Sequence, residues 1–225
     1  MVSRKLMGAW AFFDFCMLAS GVVTIALSVV WRRPDVMLNM VLTNADLTAG
    51  TVLGVALLLT FALSIGAIVQ PNHVTVGLVV LNWMLLLDAL GIVIIGTFVW
   101  VFTLQERANF HELFLQASDV TRIEIQDKFN CCGYFNGSDL AVVGGNHCVS
   151  QDFINSLNAT DDSLFCVKPI TAFADSTLNN IFTTVYGFMA IVLCLLLATL
   201  CVIKKRHEDE RFKKIDAKRG GRGFV

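Results

Sequence analysis

Four stretches of this chain, residues 6–30, 49–69, 74–104 and 181–203, are apolar for long enough to cross a membrane. A hydrocarbon core of roughly 30 Å takes about 20 helical residues. With 56% hydrophobic and 16% charged side chains among 225 residues, the chain holds more apolar surface than a soluble domain can bury. The expected fold class is an all-α membrane protein, a bundle of four transmembrane helices. The third stretch is the longest and is expected to tilt or to continue as a helix past the bilayer. The first is too long for a cleaved signal peptide and lacks a small-residue cleavage site before Trp31-Arg32-Arg33, so it reads as an anchor.

Basic residues near span ends are retained in the cytoplasm, which orients the bundle. Arg4 and Lys5 lie on one side with Lys204, Lys205, Arg206, Arg211, Lys213, Lys214, Lys218, Arg219 and Arg222; the other side holds Arg32, Arg33, Arg107, Arg122, Lys128 and Lys168. Residues 1–5 and 204–225 are therefore expected in the cytoplasm, with a tight inner turn at 70–73. A small outer loop at 31–48 and a large one at 105–180 face the other way. A net charge of −1, from 17 basic and 18 acidic residues, gives no footprint for nucleic acid. There is no low-complexity linker and no repeat of fixed period.

Only the large loop can fold, and it lies in the size range where a core alone is marginal and covalent staples are usual. Of seven cysteines, Cys131, Cys132, Cys148 and Cys166 fall in it, as an oxidising compartment would favour. Four cysteines allow three pairings, and strain disfavours a bridge between adjacent Cys131 and Cys132, leaving two bridges to Cys148 and Cys166. Two glycosylation acceptors, Asn136 in Asn136-Gly137-Ser138 and Asn158 in Asn158-Ala159-Thr160, lie in the same loop.

Within it, residues 104–117 fit a helix continuing from the third span, and Ser118 reads as the N-cap of a helix over 120–129. Gly133, Gly137, Gly144 and Gly145 interrupt any period until about Asp152. Pro169 is placed to open a last helix running into the fourth span. The expectation is a two-helix stalk with an irregular, disulfide-held head.

These features together resemble a tetraspanin. The likeness covers essentially the whole chain, and its most specific element is Phe129-Asn130-Cys131-Cys132-Gly133-Tyr134. The short loop with four cysteines is similar to the compact tetraspanins of filamentous fungi, a class associated with invasive growth and host penetration. The resemblance implies bridges Cys131 to Cys166 and Cys132 to Cys148, with Gly133 allowing the turn between them. It also implies a lateral organiser at the plasma membrane or an endosomal or vacuolar membrane. Its partners would be other membrane proteins, including other tetraspanins, and membrane lipids. Asp14 stands where the family has an asparagine in the first span, and Asp88 where the third span has a glutamate.

The chain also departs from the family. Ser64-Ile65-Gly66-Ala67-Ile68 replaces a cysteine pair, the fourth span lacks a glutamate, and Gly144-Gly145-Asn146-His147 precedes Cys148 in place of a proline pattern.

An ionisable residue within a span turns toward the protein interior. Asp88 is expected to be a protonated, hydrogen-bonded carboxyl that helps fix helix packing, with Asn82 or Asp14 nearby in the intramembrane polar set; an ion path is the rival use of Asp88. Gly8, Ala19, Gly21, Gly50, Gly54, Gly66, Gly77 and Gly91 would let backbones approach closely. A sterol or other lipid in the bundle is the one non-protein ligand considered, with no other cofactor and no small-molecule substrate.

Cys201, beside Lys204-Lys205-Arg206, is a palmitoylation candidate or a packing residue; Cys16 and Cys194 read as packing residues. The basic tail would attract anionic lipid at roughly 1 kcal/mol per Lys or Arg, diluted by Glu208, Asp209 and Glu210. His111 and His147 lack a second ligand at metal-binding spacing, and no phosphate cradle, nucleophile elbow or HExxH occurs. The expected output is binding, not turnover.

Phe135, Leu140, Val142, Val143, Phe153, Ile154, Leu157 and Phe165 are candidates for a partner surface and, on equal footing, for the core of the head. Two rivals are a small transporter or channel using Asp14 and Asp88, and a claudin-like barrier protein. The latter would need a cysteine pair in 31–48, where the sequence has none.

Overall fold

The computed structural model describes residues 3–33, 35–71, 74–158 and 161–218. The described residues form α1 (Arg4–Val30), α2 (Val36–Val41), α3 (Asn44–Val69), α4 (Val76–Leu104), α5 (Glu106–Gln116), α6 (Asp119–Phe129), α7 (Gln151–Ser156), a 3-10 turn (Asp162–Leu164) and α8 (Val167–Lys218). Among them, four helices, α1, α3, α4 and α8, are long and apolar enough to cross a membrane. In lipid every backbone N–H and C=O must be satisfied within the segment, which a helix does by itself. The chain is thus an all-α, four-span membrane protein with a disulfide-stapled helical segment between the third and fourth spans. Two compact units organise it, and each has its own core.

The first unit, Met1–Val29, Thr48–Ile95 and Val185–Val225, is the bundle. Its core includes Trp10, Met17, Leu57, Leu81, Leu85, Ile92 and Leu195, while Phe12, Phe15, Leu59, Trp83, Leu87 and Leu197 are exposed on the spans. Helices apolar all round belong in a hydrocarbon solvent. Because lipid is as apolar as leucine, helices there associate through close packing. A Cβ at Gly21 would lie 3.1 Å from the Gly54 carbonyl oxygen, and one at Gly54 would lie 3.1 Å from that of Gly21. That contact joins α1 to α3. The expectation is corrected at Gly8 and Gly66, which meet nothing within 4 Å among the described residues.

Trp10 Nε1 donates to Thr199 Oγ1 at 3.2 Å, tying α1 to α8. Past the fourth span, α8 continues as helix through Lys218. Lys205 pairs with Glu208 at 3.3 Å and Lys213 with Glu210 at 3.2 Å within the helix. Arg206 is buried, not solvated. Its guanidinium donates to the carbonyls of Ile68 at 3.2 Å and Gln70 at 3.4 Å, which the end of α3 leaves without intrahelical partners.

The second unit comprises Val30–Leu47 and Gly96–Thr184. Its core gathers Met37, Val41, Phe110, Phe114, Ile125, Tyr134, Phe165 and Ile170. The small loop, which carried no expected helix, contains α2; Asp35 caps it by accepting from the backbone N–H of Met37 at 3.0 Å and Leu38 at 3.1 Å. Lys128 on α6 lies 3.6 Å from Asp35. The helix expected over 104–117 is broken from the third span at Gln105, and α5 starts afresh at Glu106. Asn109 Nδ2 donates to the Phe102 carbonyl at 3.2 Å across the break.

Ser118 caps α6 through the N–H of Thr121 at 3.2 Å. Arg122 donates to the Phe114 and Leu115 carbonyls at the end of α5, at 2.9 and 2.6 Å. The helix leading into the fourth span opens at Val167, with Pro169 in its first turn, where a missing N–H removes no helical bond.

Candidate functional site

The stapled segment is built around adjacent cysteines. α6 ends at Asn130, whose φ of 52° turns the chain sharply. Cys131 is bonded to Cys166 and Cys132 to Cys148, with Cα separations of 5.0 and 5.8 Å. Gly133 sits at φ +76°, and a Cβ there would strike the Asn136 carbonyl oxygen and lie 3.0 Å from that of Asp139. Only glycine fits this turn. The Gly133 carbonyl then accepts from Cys166 N–H at 2.9 Å and the Tyr134 carbonyl from Val167 N–H at 3.1 Å. The Cys131–Cys166 bridge is thus flanked by backbone pairing. Tyr134 is fully buried, its hydroxyl donating to the Arg107 carbonyl at 2.9 Å.

Two polar side chains on α6 organise the irregular stretch after Gly133. Buried Gln126 acts like a strand edge: its Nε2 donates to the Val142 carbonyl at 3.0 Å and its Oε1 accepts from Val142 N–H at 3.0 Å. Asp127 accepts from the N–H groups of Asn146 and His147, both at 2.9 Å. Those backbone bonds hold its carboxyl below the usual range. The turn is closed by Gly144 N–H donating to the Cys148 carbonyl at 2.9 Å. Sequence reasoning missed both residues, although Gln126 and Asp127 interrupt the apolar face of α6 directly before the cysteines.

The eight apolar candidates divide. Ile154 and Phe165 are buried at 2% and 1% exposure, so they belong to the core and are withdrawn from a surface role. Leu140, Phe153 and Leu157 are half-buried and pack against the buried clusters, and Val142 is half-buried beside Gln126. Phe135 and Val143 are exposed, as are Val120 and Val149, which were not singled out. Phe135 stacks on His111 at 5.1 Å, and His111 Nε2 lies 3.2 Å from Asp139. His147 is engaged edge-on with Phe153 at 5.7 Å. Among the described residues no three His, Cys, Asp or Glu side chains gather as a metal site.

Asn136 is exposed, its Oδ1 accepting from Ser138 N–H at 2.9 Å. Asn158 is exposed, but Ala159 and Thr160 of its acceptor motif lie outside the described residues. Cys201 is exposed, and Cys16 and Cys194 are half-buried.

Within the bundle the polar cluster is arranged differently from expectation. Asp14 does not meet Asp88; its Oδ1 accepts from Ser64 on α3. Asp88 has Thr60 beside it, one turn from Ser64 on the same face of α3. All four are buried. Asp88 Oδ2, Thr60 Oγ1 and Asn82 Oδ1 are buried without a hydrogen-bond partner among the described residues. On α3, Ser64 thus bonds the acid of α1 while Thr60 lies beside the acid of α4 without a hydrogen bond, a placement that an i, i+4 search of α3 for small polar residues would have exposed. No family model matches the sequence, and no curated protein or solved structure is significantly similar to it.

Proposed function

We propose that this four-span protein is a scaffold of the tetraspanin type, which gathers other membrane proteins, further tetraspanins among them, beside its spans and its stapled segment. The observation that carries this reading is the covalently fixed turn at Cys131-Cys132-Gly133, with Cys166 and Cys148 as its partners. It shapes a surface and exposes Phe135 and Val143, which supports a binding role. The exposed apolar sides of the spans offer a second surface for lateral partners. Both termini lie in the cytoplasm, and the stapled segment faces the cell exterior or the lumen of an endosome or vacuole. The Lys and Arg distribution, the disulfides and the acceptor sites at Asn136 and Asn158 support that orientation. A role in fungal invasive growth or host penetration follows from the resemblance to the compact class.

Affinity isolation in mild detergent tests the scaffold. The double variant Phe135→Ser, Val143→Ser is expected to keep both disulfides yet recover fewer membrane proteins; unchanged recovery would remove these residues from the binding surface.

A second reading, a small transporter or channel, draws on the unpartnered oxygens of Asp88, Thr60 and Asn82, because polar groups within spans mark ion paths. Flux in reconstituted vesicles that disappears with Asp88→Asn would favour it. Absence of flux in both forms, with normal partner recovery, would favour the scaffold.

A further inference from the structure

In the second unit, α4 and α8 line a groove of about 510 Å³ that includes Trp100, Thr103, Asp175, Ser176, Asn179 and Phe182. On α8, Asp175 and Asn179 stand one turn apart, as do Ser176 and Asn179 and then Phe182. Trp100 and Phe182 lie at the ends of the apolar stretches 74–104 and 181–203, where aromatic rings sit at the level of lipid headgroups.

Behind Asp175 stands Glu106, the first residue of α5. Its Oε2 is buried and receives no hydrogen bond among the described residues, so it calls for a proton or a cation. Burial and the neighbouring Asp175 carboxyl push its pKa up to about 7, and Arg107 offsets this in part. Tyr134 also faces the pair, its phenol pushed up mainly by burial, with Asp139 adding to the negative field. His111 stands beside both, its Nε2 3.2 Å from Asp139 and its ring edge-on to Tyr134 at 5.1 Å.

A hard divalent ion wants six or more oxygen ligands, whereas this groove pairs a carboxylate with aromatic rings. Such a combination takes an alkylammonium group, held by charge and by the ring faces. The Ser176 hydroxyl and the Asn179 amide add donors suited to a phosphate oxygen. We propose that this groove binds the headgroup of a zwitterionic phospholipid, its ammonium at Trp100, Phe182 and Asp175 and its phosphate at Ser176 and Asn179. The assignment rests on the spans, not on the scaffold reading.

The test uses the full-length protein in maltoside micelles, titrated with dihexanoyl phosphatidylcholine, phosphatidylethanolamine or phosphatidylglycerol and read as adducts by native mass spectrometry. The choline and ethanolamine lipids are expected to bind at least about tenfold more tightly than the glycerol lipid, and Asp175→Asn to weaken both by about tenfold. Tighter binding of the choline lipid, with a larger loss on Trp100→Leu and recovery in Trp100→Phe, assigns choline as the source. Tighter binding of the ethanolamine lipid assigns ethanolamine.

Raising the pH from 6 to 8 strengthens binding as Glu106 releases its proton, and Glu106→Gln flattens that rise. Intact disulfides and an unchanged melting temperature check each variant's fold. Equal binding of phosphatidylglycerol, or an Asp175→Asn variant that folds and binds as before, overturns the proposal, as does displacement by a sterol alone.

Discussion

The bundle and the stapled segment solve the same problem, holding polar groups in a small packed unit, by opposite means. In the bundle the polar contacts between helices include Ser64 to Asp14, Trp10 to Thr199, and the Arg206 guanidinium to carbonyls at the end of α3. Its helices satisfy their own backbones, so sequence has only to supply close approach at places such as Gly21 and Gly54. The stapled segment has little regular structure after α6. Its backbone is instead satisfied by side chains, Gln126 and Asp127, and fixed by two cross-links. The difference teaches that removing one contact is tolerated where helices are self-sufficient and directly frees backbone groups where side chains stand in for secondary structure.

The sharpest way to break this contrast is to cut a staple. Cys166→Ser is expected to leave the spans inserted while the segment loses about 2–5 kcal/mol; limited proteolysis would show cleavage in 131–166, and partner recovery would fall. Protease resistance equal to that of the unaltered chain would mean the packing of Tyr134 and Phe165 holds the segment without the bridge.

Gly54→Val comes next. Its side chain would meet Ile25 Cγ1 at 2.7 Å and the Gly21 carbonyl, and overpacking of this kind costs about 1–3 kcal/mol. A lowered melting temperature with intact disulfides is the expected result.

Gln126→Ala is smaller and more local. Leaving the Val142 N–H and C=O without their partner costs about 1–3 kcal/mol when they are fully buried. They are half-buried here, which places the effect near the lower end; it should appear as faster amide exchange at Val142, with the bundle unaffected.

The smallest effect is a pH response at Asp127. Its carboxyl is held below its ordinary value of 3.8 by the Asn146 and His147 amides, so the contribution is present above that value and is lost as the pH falls through the lowered one. Exchange at those two amides should rise only in strong acid, and Asp127→Asn should show the rise at neutral pH.

Much of the architecture was legible because it follows from solvent and period. Long apolar runs gave four spans, and Ser118 announced α6 by its capping chemistry. What escaped was nonlocal. The break at Gln105 depends on Asn109 reaching back to Phe102, and α2 depends on Asp35 capping six residues too short to show a period. The pairing of Asp14 with Ser64, not with Asp88, depends on how α1 and α3 are rotated, which hydropathy does not encode. Among the apolar candidates, composition alone cannot separate Phe135, exposed beside His111, from Phe165, buried at the cross-link. The groove at Trp100 and Asp175 joins residues far apart in the chain and carries no sequence pattern.

The claim beneath all of this is that an oxidising environment fixes one turn through two defined bridges. Peptide mapping by mass spectrometry of the unreduced, thiol-blocked full-length protein, purified from membranes, tests it directly. The account predicts cross-linked peptides joining Cys131 to Cys166 and Cys132 to Cys148, with Cys16, Cys194 and Cys201 outside them. Blocked free thiols at the four positions, or the exchanged pairs Cys131 to Cys148 and Cys132 to Cys166, would contradict it.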